Sequence, residues 1–321
     1  NFNYNDAVAA QSNINGNNTY RHILADGYTT NAAVDINHNY FGCNFSDPEK
    51  VEDLRGIELI GGATMGAGTS IRIDWNNFYF SQAQVILYRS FGVLLSGTFP
   101  TNTSTIVEFN NFYIDQPTCN FGNSHIYGIM LNDGNKNQVQ IYSNYFDSDA
   151  WGPFSLPATE YGIWLEGSIG GGNVVSGNKF VPNLNTAYSI NYYLGITSQD
   201  FINTVFCENN VRECNGPMYI RGTSMGTQYF ANTHTGGGYS LYIEDGFIGV
   251  QGTLGGEHHG NKWYDKWNNV LPVFNARCWP PSQAPNSHIF THTAQSLRDP
   301  NGGYTSFSEF HPADIDPDQM D

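Results

Sequence analysis

The chain has 321 residues, a formal net charge of -16, 40% hydrophobic residues and only 13% charged ones. That composition excludes a disordered tail and leaves few stretches able to form a long helix with a charged outer face. Nucleic acid is excluded as a partner because no run of Lys or Arg offers a basic footprint, and no apolar run is long enough to insert into a membrane.

Asn, Gly, Ser, Thr, Tyr and Phe dominate, which suits strands separated by tight turns. In chain order, an Asn-x-aromatic phrase recurs as Asn39-Tyr40-Phe41, Asn76-Asn77-Phe78, Asn110-Asn111-Phe112, Asn144-Tyr145-Phe146 and Asn178-Lys179-Phe180. Degenerate copies follow at Asn209-Asn210-Val211 and Asn232-Thr233-His234. Differences between successive Asn positions are 37, 34, 34, 34, 31 and 23. Three residues before each Asn stands an apolar residue: Ile36, Ile73, Val107, Ile141, Val175, Phe206 or Tyr229.

A second phrase alternates with the first: Gly56-Ile57-Glu58-Leu59, Gly92-Val93-Leu94-Leu95, Gly128-Ile129-Met130-Leu131 and Gly162-Ile163-Trp164-Leu165. It loosens at Gly195-Ile196-Thr197-Ser198, Pro217-Met218-Tyr219-Ile220 and Ser240-Leu241-Tyr242-Ile243. Aliphatic residues with a freer one between them have the period of a half-buried strand. Each repeat thus carries at least two strands and a turn in constant order, and parallel stacking buries a core that no repeat buries alone.

The expected fold is all-β, a right-handed parallel β-helix over 1–245 with seven recognisable rungs between Val34 and Asp245. An irregular, aromatic-rich C-terminal cap is expected over 246–300 and an acidic tail or linker over 301–321. Structural turns are assigned to Asn39, Asn76, Asn110, Asn144, Asn178 and Asn209, because Asn tolerates left-handed backbone and its amide can bond the next rung. Each Phe two positions on is expected to face inward and stack. Opening inside a patterned region, the sequence reads as a piece of an exported precursor.

The Asn-x-Phe turns, the Gly-Ile-x-Leu strands and Gly260-Asn261-Lys262-Trp263 resemble right-handed parallel β-helix proteins exported to the surface of Bacteroidota. The resemblance spans roughly 34–280. It implies a secreted or cell-surface location and leaves the activity open, since this fold hosts many.

Two columns of the second phrase should point to solvent. One reads Glu58, Leu94, Met130, Trp164, Thr197, Tyr219, Tyr242, and the other Ile60, Ser96, Asn132, Glu166, Gln199, Arg221, Glu244. Trp164, Tyr219 and Tyr242 beside Glu166, Arg221 and Glu244 offer a candidate glycan-binding face of rings and polar groups. Glu166 and Glu244 stand three rungs apart, about 14 Å at the spacing of parallel strands. Paired glycosidase carboxylates sit closer, at roughly 5 to 9.5 Å. An ordinary structural surface is the plainer reading of the same residues.

No cofactor is expected. Asp147, Ser148 and Asp149 form a small acidic loop that could hold calcium but fits a solvated turn equally. His258 and His259 beside Glu257 are adjacent and rarely share one ion. Cys43, Cys119, Cys207, Cys214 and Cys278 fit no zinc spacing, and Cys207 and Cys214 are near enough to bridge, with buried free thiols the alternative. The expected function is a non-catalytic structural or adhesive surface protein that self-associates or holds cell-surface glycans. The alternative is a carbohydrate-active protein, whether lyase, glycosidase or glycan-binding module, using the aromatic and carboxylate face.

Overall fold

The computed structural model describes residues 2–3, 6–11, 18–26, 33–45, 51–61, 70–81, 89–97, 99, 103–116, 125–132, 138–150, 159–167, 172–182, 192–212, 216–235, 239–251, 262–264, 274–279 and 287–289. Each coil of the chain lays one strand in each of three parallel sheets, giving eight strands in sheet A and nine each in sheets B and C. In the second coil these are Val34–Asn37, Tyr40–Phe45 and Val51–Gly61. Among the described residues there is no helix, and so none long and apolar enough to cross a membrane. The chain is a parallel β-solenoid.

The aligned phrases coincide with the register. Ile36, Ile73, Val107, Ile141, Val175, Phe206 and Tyr229 pair successively through sheet A. In sheet B, Phe41, Phe78, Phe112, Phe146 and Phe180 do the same, with ring centroids 4.7 to 4.9 Å apart. Ile57, Val93, Ile129, Ile163, Ile196 and Met218 line sheet C. All three columns are buried and together form the core. Each stacked aromatic pair adds about 0.5–1.5 kcal/mol beyond its burial.

The glycine of the second phrase has a steric cause. A Cβ on Gly128 would lie 2.5 Å from the Phe146 ring and 2.7 Å from the Gly162 carbonyl oxygen. Gly128 and Ile129 therefore both face the core, and the ladder pairs Tyr127 with Tyr161 and Ile129 with Ile163 around that irregularity. The residue before each glycine is thereby turned outward.

Between sheets A and B, the asparagine side chains form a buried ladder. Asn39, Asn76, Asn110, Asn144, Asn178 and Asn209 each donate their side-chain amide to Oδ1 of the next rung's asparagine, ending at Asn232. The left-handed residue, however, is not the asparagine but its predecessor: His38, Trp75, Phe109, Ser143, Gly177, Glu208 and Ala231 have φ between 51 and 64°. The asparagine instead spends its amide on carbonyls of the rung before, as Asn110 does on Ile73 at 2.9 Å.

The sheets run past the expected boundary at 245. Lys262–Tyr264 pairs with Thr233–Thr235 in sheet B, and Phe274–Trp279 with Tyr239–Phe247 in sheet C. At the other end, Asn18–Asp26 opens sheet C in register with Val51–Gly61. Cys207 is a free, buried thiol, so the bridge to Cys214 is not formed. The thiols of Cys43, Cys119, Cys214 and Cys278, the Glu257–His259 group and the 301–321 tail lie outside the described residues.

Candidate functional site

The outer face of sheet C brings the expected site residues together. Trp164, Thr197, Tyr219 and Tyr242 occupy one column, and Glu166, Gln199, Arg221 and Glu244 the neighbouring one. The two carboxylates are thus separated by Gln199 and Arg221, three rung spacings apart, which keeps them outside the reach of a glycosidase pair.

The first of these columns is not the open row expected from alternation. Glu58, Leu94 and Thr197 are buried, and Trp164, Tyr219 and Tyr242 are half-buried. The cause is the turned-out row before the glycines. Phe91, Tyr127 and Tyr161 stack on one another at 5.0 and 4.9 Å and pack against Leu94, Met130 and Trp164 as a second apolar cluster. Burial and the neighbouring Tyr161 push the Tyr127 hydroxyl far above its ordinary pKa, so it stays protonated.

Polar groups along this strip are committed to one another. Trp164 Nε1 donates to Glu166 at 3.2 Å. Tyr219 donates its hydroxyl to Glu244, which also meets Arg221 at 3.4 Å. Burial, reinforced by that hydrogen bond, raises the Tyr219 hydroxyl well above its usual value. The Tyr219 and Tyr242 rings stack at 5.3 Å and 13°, so each covers a face of the other and they present edges outward. Trp164 differs, standing at 88° to both Tyr127 and Tyr161.

The N-terminal part of the strip holds a charged cluster that sequence reading left scattered. Glu58 pairs with Arg21 and Arg55, while Asp53 pairs with Arg55 at 2.9 Å and Arg89 at 3.0 Å. Both carboxylates are buried, and the guanidinium groups supply their partners there. Arg55 also lies 5.5 Å from the Phe91 ring centroid. The signal was present one position before each glycine, where Arg55, Phe91, Tyr127, Tyr161 and Leu194 form a column of their own.

Asp147, Ser148 and Asp149 lie in the strand Tyr145–Ala150 rather than in a loop. Asp147 accepts the Tyr145 hydroxyl at 3.3 Å. Among the described residues no cluster of His, Cys, Asp or Glu could hold a metal ion. The chain matches no family model, no curated protein and no solved structure.

Proposed function

We propose that this solenoid is a non-catalytic structural and adhesive protein, exported to the cell surface, where it self-associates or holds glycans. The observation that carries the reading is the commitment of the strip's carboxylates. Asp53 and Glu58 are each held by two guanidinium groups, Glu244 by Arg221 and Tyr219, and Glu166 by Trp164. Carboxylate oxygens engaged by neighbouring side chains are less open to an incoming substrate. A rigid, self-satisfied face suits presentation rather than turnover.

Incubation with neutral and acidic polysaccharides, with and without calcium, tests this reading. It expects no new reducing ends, and their appearance would overturn it. Rods or assemblies in electron micrographs would support the self-associating part, whereas a strict monomer at high concentration would remove it.

The carbohydrate-active reading keeps one supporting observation, the crosswise Trp164 ring beside Glu166. If that face binds a glycan, the double variant Trp164→Ala, Tyr219→Ala loses retention on the polysaccharide that the parent chain holds. Unchanged retention removes the face from consideration.

A further inference from the structure

A second surface lies on the turn between sheets A and B, away from the sheet C strip. The left-handed turn residues form a continuous column, because each backbone N–H bonds to a carbonyl of the next rung. The links run His38 to Asp74, Trp75 to Glu108, Phe109 to Tyr142, Ser143 to Ser176 and Gly177 to Cys207. Its first three members are rings stacked along the axis, His38 on Trp75 at 6.2 Å and Trp75 on Phe109 at 4.7 Å. Then the column changes abruptly to Ser143 and Gly177, both exposed, before reaching exposed Glu208.

The stack of rings therefore ends at Phe109, whose neighbour in the next rung is the small, exposed Ser143. Trp75 is 50% and Phe109 38% exposed. Left-handed backbone costs a bulky L-residue about 1–2 kcal/mol, and Gly177 in the same column shows the residue that avoids it. Two large aromatics kept there at φ 55 and 54° are a costly way to build a turn and an effective way to display rings. Above Phe109, the two small residues leave roughly 10 Å of the column, two rung spacings, without a ring.

The geometry points to a sugar-binding ledge, in which one pyranose of an uncharged β-linked glycan stacks on the free face of Phe109 at the level of Ser143. Such a ring would continue the existing stack. Its axial C–H face meets the phenyl ring, and its equatorial hydroxyls come within reach of the Ser143 hydroxyl. Charge selects the class: Glu208 stands farther along the column, Glu108 beside it is paired with Arg72 at 2.6 Å, and the chain carries -16 overall, which disfavours phosphates and uronates. A flat aromatic ligand would stack as well but leave the polar groups without use. The ledge rests on the adhesive reading and names its ligand.

The column itself supplies variants that should fold. Ser143→Trp repeats what position 75 already holds and fills the ledge, while Phe109→Ser repeats what position 143 holds and removes the platform. Affinity electrophoresis through hydroxyethyl cellulose and titration with cellohexaose should show tenfold or greater weakening in both variants. Met225→Ala, at an exposed position in neither surface, should bind as the parent does. The ledge is overturned if the parent binds neither probe, or if Ser143→Trp binds unchanged. Retention lost only in Trp164→Ala would overturn the ledge while leaving an adhesive solenoid that binds through sheet C.

Discussion

At the scale of single residues, a tight constraint is the contact of Gly56, Gly92, Gly128 and Gly162 in sheet C with a phenylalanine of the following rung. Gly128→Ala forces either the Phe146 ring or the Gly162 backbone to move, and overpacking of this kind costs about 1–3 kcal/mol. Urea unfolding of this variant should show that loss. A histidine stands near each end of the phenylalanine ladder. His22 takes the glycine position of its rung and stacks on Phe41 at 5.6 Å, while buried His234 follows Val211 and shares a hydrogen bond with Tyr229. Burial lowers their pKa values to about 4 and about 3. Above pH 6.5 both are neutral folded or unfolded, so they add no pH dependence there. As pH falls below 6.5 the unfolded chain takes up protons that the folded chain refuses, and stability declines toward those lower values. His22→Phe, which extends the ladder, should flatten the fall of Tm between pH 7 and pH 4 relative to the parent; parallel curves would contradict this. His234 was legible as the last copy of the Asn-x-aromatic phrase and His22 was not, since nothing in a one-dimensional repeat shows that an imidazole before the first clear rung faces a ring rather than water.

At the scale of elements, the asparagine ladder fixes how one rung sits on the next. Asn110 accepts two hydrogen bonds from Asn76 and donates to Ile73, Glu108 and Asn144. Asn110→Ala removes all five in a buried setting and should cost about 3–5 kcal/mol. Its neighbour Asn111 makes a half-buried bond to Asn77 at 2.9 Å, and Asn111→Ala should cost under about 1 kcal/mol by the same denaturation assay. The inward columns were readable because apolar side chains recur at fixed offsets within the repeat: Ile36 to Tyr229, Phe41 to Phe180, and the paired aliphatics of sheet C. The outward columns were misjudged for a local reason. Gly128 adds a second inward residue, which turns Tyr127 out beside Met130 and covers what alternation would leave open. Likewise the left-handed turn fell on Trp75 and Phe109 instead of Asn76 and Asn110, because the amide was needed for the ladder.

At the scale of the molecule, a charge of -16 and a line of nearly identical rungs set the collective behaviour. Self-repulsion works against both compactness and association. Lowering the Debye length from about 30 to about 8 Å, between 0.01 and 0.15 M salt, should raise Tm and strengthen self-association in sedimentation experiments. A salt-independent Tm and sedimentation profile would show that repulsion is already relieved by the local pairing seen at Asp53 and Glu58. In such a stack each rung contacts only its neighbours, so stability is a sum of rung and interface contributions.

The parallel register also decides how the molecule responds to force. Backbone and asparagine hydrogen bonds run from rung to rung, along the axis. Tension applied at the two ends loads only the terminal rung's bonds, and the stack unwinds one coil at a time. A 34-residue coil pays out roughly 110–120 Å of chain. A sideways pull on the body of the stack must instead shear many rungs together. A tether built this way would yield in steps under end-to-end load while its flank holds firm.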